Sequence, residues 1–236
     1  MTDHPVLLLM NDDVAPIAPD WLTHLLAHLD DPAIGIVGPR LLYPSGAVQH
    51  GGVILGLSGM VDHASRGLPA AAPGHEAQVL VDQEMSAVTG ACLLIRRAAF
   101  DAVGGLDEAY PSAFNDIDLC LRVGQAGWGT IYAGAVALTH HELQTYGSHY
   151  AGDRAPHREE ELARFRHRWA GVVACDPYHN PNLSLIAGAE WDLAFPSRMP
   201  LWRDLEASRL VRPGAPDADR IPEPETARGG TDRSAL

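Results

Sequence analysis

The sequence predicts an α/β fold, and three observations carry that expectation. Short apolar runs alternate with segments of helical period, as strands and helices do in a layered domain. The composition is globular, with 46% hydrophobic and 20% charged residues over 236 positions. The strongest apolar run, Val6 to Met10, stops abruptly at Asn11-Asp12-Asp13. That is the pattern of a buried strand ending where α/β sheets bind ligands.

The elements follow in order. After the first strand, Trp21, Leu22, Leu25, Leu26 and Leu29 mark one helical face, with Pro19 near its start. Ile34 to Val37 and Val48 to Leu57 read as strands, the second preceded by a Pro44-Ser45-Gly46 turn. Asp62 to Gln78 reads as a long Gly/Pro/Ala loop, and Ala87 to Ile95 as a buried strand. Arg97 to Val103 reads as a helix stopped by Gly104-Gly105, and Asp116 to Ala126 as a helix closed by Gly127. Ile131 to Tyr132 and Ala135 to Leu138 read as short strands, and Arg158 to Trp169 as a charged helix. Residues 1–200 hold nearly all the apolar periodicity. Residues 203–236 are rich in Pro, Gly, Ala and charge, and read as a disordered tail.

Charge and cysteine usage narrow the function. The net charge is −13 and all 17 basic residues are Arg, which argues against a general nucleic-acid binder. Cys92, Cys120 and Cys175 form neither a disulfide framework nor a C-x-x-C clip, so the expected compartment is the reducing cytoplasm. No run nears the roughly 18 apolar residues of a membrane span. Val6 to Met10, behind Asp3 and His4, is too short and too acidic for a signal peptide.

Four constellations can carry chemistry. Asn11-Asp12-Asp13 offers hard oxygen ligands for Mg²⁺ or Mn²⁺, although turn chemistry alone also accounts for it. Asn115-Asp116-Ile117-Asp118 opens a helix. There Asp116 is either a first-turn capping acid or a general base kept ionised by the dipole, with Asp118 as its solvated neighbour. Thr139-His140-His141-Glu142 offers imidazole, but adjacent strand residues point to opposite faces, so at most one His serves a given metal. Val88-Thr89-Gly90-Ala91-Cys92 places Gly inside a strand, which marks either a close approach or a bulge. A fifth group, Arg166-His167-Arg168-Trp169 beside Glu159 to Glu161, reads as a salt-laced surface.

Taken in order, these segments resemble glycosyltransferase family 2, the inverting transferases of GT-A (Rossmann-like) fold. The likeness runs from "LLLMNDD" through "WLTHLLAHLDDPAIGIVGPRLLYPSGAVQHGGVILG" to "VTGACLLIRRAAFDAVGGLDEAYPSAFNDIDLCLRVGQAGW" and "LTHHE". It ends in "RHRWAGVVACDPYHNPNLSL", similar to bacterial members that build surface polysaccharides. The resemblance implies Asp13 and His140 as metal ligands, with His141 as the fallback. Asn11, first position of the D-x-D segment, then lies near the donor ribose or the metal, and Asp12 beside the nucleotide sugar. Asp116 becomes the base that deprotonates an acceptor hydroxyl. Asn115 stands where the family usually has Glu, and Gly90, Ala91 and Cys92 line the sugar site. Phe165 replaces the Gln of the processive Q-x-x-R-W motif, so processive polymerisation is not expected.

The implied partners are a nucleotide-sugar donor and a glycan or lipid-linked glycan acceptor, which brings the chain to the inner face of the membrane. The family's nucleotide-binding half precedes the D-x-D strand, and only ten residues stand before Asn11. The expectation is therefore a partial GT-A fold, N-terminally truncated, with a separate chain or a longer reading frame supplying the rest. Alone, it is expected to be poorly soluble and a weak binder of nucleotide sugars. A non-catalytic, acceptor-binding remnant is the alternative. A metal-dependent hydrolase built on the His pair lacks the clustered ligands it needs.

Overall fold

The computed structural model describes residues 3–141 and 155–198. The expected tail at 203–236, and Glu142, lie outside them.

The mixed α/β expectation holds. A seven-stranded sheet runs in the order β1-β8-β3-β9-β2, with β4 on β3 and β7 on β9. Its strands are β1 (Val6–Met10), β2 (Val14–Pro16), β3 (Ile34–Leu42), β4 (Val48–His50), β7 (Asp82–Glu84), β8 (Cys92–Arg96) and β9 (Gly129–His140). A hairpin of β5 (Val53–Leu55) and β6 (Val61–His63) forms a second sheet. The helices are α1 (Trp21–Ala27), α2 (Arg97–Ala102), α3 (Asn115–Gln125) and α4 (Ala155–Ala174).

Strand alternation divides the core into two layers. Leu93 and Ile95 of β8 join the layer under α3 and α4, with Ile36, Leu119 and Phe165. Cys92 and Leu94 join the opposite layer, with Val37 and with Leu25 of α1. Every residue of β3 is buried, as a central strand requires.

Several boundaries differ from the sequence reading. Val6–Met10 is not buried on both faces: it is an edge strand, antiparallel to β8, with Leu8 41% exposed. The run from Val48 to Leu57 is broken by Gly52, whose φ of 89° breaks the extended run between β4 and β5. The expected strand over Ala87 to Ile95 begins only at Cys92, because the segment before it turns its main chain to other partners. Ala87 O accepts from Val53 N, and Gly90 N donates to Asp116. The two short strands expected near Tyr132 are one strand, β9. It absorbs Gly134 in a register shift against β3, and a Cβ there would lie 2.5 Å from Val81 O.

Candidate active site

Strand pairing brings the distant constellations together. β2 follows the Asn11-Asp12-Asp13 turn and pairs antiparallel with the end of β9, Val14 opposite His140. His141 N donates to Asp13 O at 2.9 Å. This register sets Asp13 Oδ1 3.1 Å from His140 Nε2. On the other side, Asn11 N donates to Ala91 O at 2.9 Å and ties the same turn to the 89–91 segment.

A cavity of about 660 Å³ opens between these segments and α3. Of the residues singled out from the sequence, Asn11, Gly90, Ala91, Asn115, Asp116 and His140 line it. Asp12 is exposed, and Asp13 meets the site only through His140. Cys92 does not line the cavity. As the first residue of β8 it faces the opposite core layer, fully buried, and burial pushes its thiol up to about 12.

Asp116 sits in the first turn of α3 and faces the cavity. Its Oδ2 accepts from Gly90 N at 2.7 Å and its Oδ1 from Ile117 N at 2.8 Å. The helix N-terminus was expected to hold this acid below its ordinary range. The direction is the reverse: desolvation raises it, against the lowering effect of these backbone N–H groups. Gly90 is needed for this approach, since a Cβ there would lie 2.9 Å from Asp116 Cβ.

Asp118 is not the solvated neighbour that the sequence suggested. Two residues on a helix are separated by about 200° around its axis, so Asp118 faces away from the cavity. It is fully buried, bonded to Arg122 Nε at 2.7 Å and to Trp169 Nε1 at 2.9 Å, with Arg168 at 3.2 Å. The salt-laced surface reading holds for Arg166, His167 and Arg168, which are exposed, with Arg168 paired to Asp107 and Asp118, but not for the buried Trp169 and Glu161. Trp169 is 2% exposed, and it anchors α4 to α3.

Three site features were missed. Gln49 Oε1 lies 2.7 Å from His140 Nδ1. His50 and His63 line the cavity with their Nδ1 atoms 2.7 Å apart. Burial lowers both imidazoles, His63 to about 4. Glu161 of α4, 2% exposed, accepts from Ser112 and Ala113 just ahead of α3. The only sequence trace of the first two was the "QHGG" run, where a polar pair stands inside an otherwise apolar strand.

The pair Asp13–His140 fits a divalent cation. When Gln49 Oε1 accepts from Nδ1–H of a neutral His140, Nε2 is left with a lone pair. That lone pair faces a buried carboxylate oxygen which has no aligned hydrogen bond, although the two atoms are only 3.1 Å apart. Two acceptors at that distance need a proton or a cation between them. Adjacent ligands of an octahedral ion at 2.1 Å stand about 3.0 Å apart, which matches. Among the described residues no cluster of three His, Cys, Asp or Glu ligands exists. An ion held by few protein groups and completed by phosphate oxygens is the Mg²⁺ pattern.

A family model described as glycosyltransferase-like family 2 matches residues 1–171. The chain belongs to that family. Among its relatives, the uncharacterized protein y4gI of Sinorhizobium fredii is 41% identical over 181 residues, which are 76% of this chain and 20% of the relative. The O-antigen biosynthesis protein RfbC of Myxococcus xanthus is 34% identical over 187 residues, 77% of this chain and 14% of the relative. The chain thus spans a fifth or less of the length of these two relatives. An N-acetylglucosaminyl-diphospho-decaprenol L-rhamnosyltransferase of Mycobacterium tuberculosis is 37% identical over 84 residues, 36% of this chain and 27% of the relative. Among solved structures, the mannosyltransferase PcManGT from Pyrobaculum calidifontis, in complex with GDP-Man and Mn²⁺, aligns with a TM-score of 0.44 and 12% identity. That alignment covers 74% of this chain and 46% of the other. Among the described residues no helix is long and apolar enough to cross a membrane.

Proposed function

We propose that the chain carries the acceptor and metal side of an inverting glycosyltransferase, moving a sugar from a nucleotide diphosphate to a hydroxyl of a surface glycan. One observation carries this reading. Asp116, held by two backbone N–H groups, lines the same cavity as His140, whose Nε2 lies beside Asp13. A base and a cation site on one cavity are what hydroxyl attack on a glycosyl diphosphate requires. The names of the O-antigen and rhamnosyltransferase relatives support surface glycans as the product class.

In this reading the acceptor hydroxyl approaches Asp116, which takes its proton. The hydroxyl oxygen forms a bond to the anomeric carbon as the bond from that carbon to the diphosphate breaks, with inversion. The raised affinity of Asp116 for a proton suits it to that transfer. Asn115 lines the same wall and holds Asp116 N through its own Oδ1 at 2.8 Å. Asp13 and His140 would hold Mn²⁺ or Mg²⁺, which stabilises charge on the leaving diphosphate. Gly90 and Ala91 give the cavity a floor of main chain beneath the sugar.

In this reading nucleotide binding draws on more than the described residues. β1 stands at the edge of the sheet with Leu8 exposed, and further strands pairing there would supply it. The test has two arms. Mn²⁺ titration of the full chain, followed by electron paramagnetic resonance, should show binding that Asp13→Ala and His140→Ala each weaken at least about tenfold. Supplied with the preceding segment of a longer relative, the chain should transfer sugar to a lipid-linked glycan. Asp116→Asn should then lower the rate by about a hundredfold or more. Transfer by that variant within a few fold of the parent removes Asp116 as the base. Micromolar binding of a UDP- or dTDP-sugar by the chain alone removes the need for further strands.

A further inference from the structure

On the α4 side of the cavity wall, the most elaborate cluster joins one face of α4 to residues 107–118, of which Ser112, Asn115 and Asp116 line the cavity. Glu161, Arg164, Phe165, Arg168 and Trp169 recur at the spacing of successive helical turns. Each meets that segment. The Glu161 carboxylate accepts from Ser112 Oγ at 2.7 Å, Ser112 N at 3.3 Å and Ala113 N at 2.7 Å. Arg164 donates to Ala109 O and lies over the Tyr110 ring. Phe165 stacks on Phe114 with centroids 4.9 Å apart. Arg168 and Trp169 both reach Asp118.

Held between these contacts, Phe114 takes φ 63°, a conformation uncommon for a bulky side chain. It comes directly before α3, and its carbonyl accepts from Asp118 N at 2.8 Å. Asp116 lies between the two grips, Glu161 on one side and Trp169 on the other. Its own carboxylate points away from α4 to Gly90.

We propose that Glu161 is a positioning residue: it holds the 112–114 loop in the one path that sets the Asp116 carboxylate against Gly90. The functional weight of this rests on the reading of Asp116 as the base, but the geometry can be tested without any substrate. A buried carboxylate that accepts three donors from one loop fixes that loop's main chain, and packing alone would not need a charge there. Gln at this position keeps the volume and loses part of the accepting capacity.

The experiment compares the ¹⁵N-labelled full chain with Glu161→Gln and Ser112→Ala by amide hydrogen exchange and proton chemical shift. In Glu161→Gln the Gly90 and Ile117 amides should exchange about tenfold faster, while amides of the β3–β9 ladder keep their rates. The Gly90 amide proton, shifted downfield by its bond to a carboxylate, should move upfield. Ser112 is exposed, so its loss removes one bond to Glu161 without emptying the core, and the same shifts should appear at smaller size. Should Glu161→Gln fail to fold, Ser112→Ala decides the matter alone. An unmoved Gly90 resonance, or an equal speeding of exchange throughout the chain, overturns the proposal. Failure of sugar transfer would leave these resonances readable, so the two readings fall separately. Where transfer is measured, Glu161→Gln should lower kcat and leave KM for the donor in place.

Discussion

Asp118 offers the sharpest test of the packing argument, because its neighbour Asp116 has the opposite environment. The perturbation is Asp118→Asn, nearly isosteric and uncharged. Asp118 has no exposed surface, and its partner Arg122 is 11% exposed with Nη2 already lacking a hydrogen bond. After substitution the one amide oxygen at this position can accept from only one of Arg122 Nε and Trp169 Nε1, and the Arg122 charge, bonded also to Val103 O at 2.7 Å, loses the buried carboxylate that balances it. Removing one member of a buried pair costs about 3–5 kcal/mol. Arg168 is 38% exposed and adds little to this. For a chain of this size each kcal/mol lowers Tm by about 2–4 °C, so the expected fall is about 6–20 °C. Urea denaturation followed by circular dichroism measures the same loss as a lower midpoint at constant slope. Asp107→Asn serves as control, since it breaks only the more exposed pair with Arg168, worth under about 1 kcal/mol. A loss below about 1 kcal/mol for Asp118→Asn would refute the view that this acid is a buried anchor.

Three further outcomes are expected. Gly90→Ala places a Cβ 2.9 Å from Asp116 Cβ, an atom fixed to α3, so it should destabilise by about 1–3 kcal/mol in the same urea assay; an unchanged midpoint would mean the gap closes freely. Asp116 is raised by burial, so the folded chain binds its proton more tightly than the unfolded chain, and ionisation destabilises the fold as pH rises above about 3.8. The stability of Asp116→Asn relative to the parent should therefore improve from pH 3.5 to pH 7, and a difference flat with pH would contradict the desolvated setting. His63 is lowered to about 4 and His50 well below its usual range, so the unfolded chain takes up protons first as pH falls from about 6.5. Stability should drop through that window, less steeply in His63→Asn, and parallel curves for the two chains would show that the pair is not buried neutral.

What the sequence disclosed depended on range. Apolar runs and helix stops were legible because they depend on near neighbours: α1, α2 and α3 begin and end within a residue or two of the expected positions. β9 was read as two short strands on either side of Gly134, and only the carbonyls of Val79 and Val81 against it show why Gly belongs inside the strand. The acids of α3 were legible as residues and not as roles. Helical geometry separates Asp116 from Asp118 by face, but which face meets water depends on α4, nearly forty residues further on. His140 was reached through family likeness, and its orientation by Gln49 could not be. Glu161 looked like one of three surface acids in a row until the fold brought residues 112–113 to it.

The same long-range dependence bears on how the site is held. The Asp13–His140 contact exists because Val14 stands opposite His140 in the β2–β9 register, and Asp116 is held in place because α4 grips both ends of the 112–118 segment. Side chains alternate along a strand, so a slip of one residue between β2 and β9 would turn His140 away from Asp13. β2 has only three residues, too few to fix that register by itself. Two other bonds support it: His141 N to Asp13 O on one side, and Asn11 N to Ala91 O on the other. The second of these comes from the segment whose Gly90 holds Asp116. One short stretch of main chain, 89–91, therefore links the Asp13–His140 side of the cavity to the Asp116 side. A disturbance there should reach both, whereas loss of Glu161 should reach Asp116 and leave Asp13 and His140 in contact.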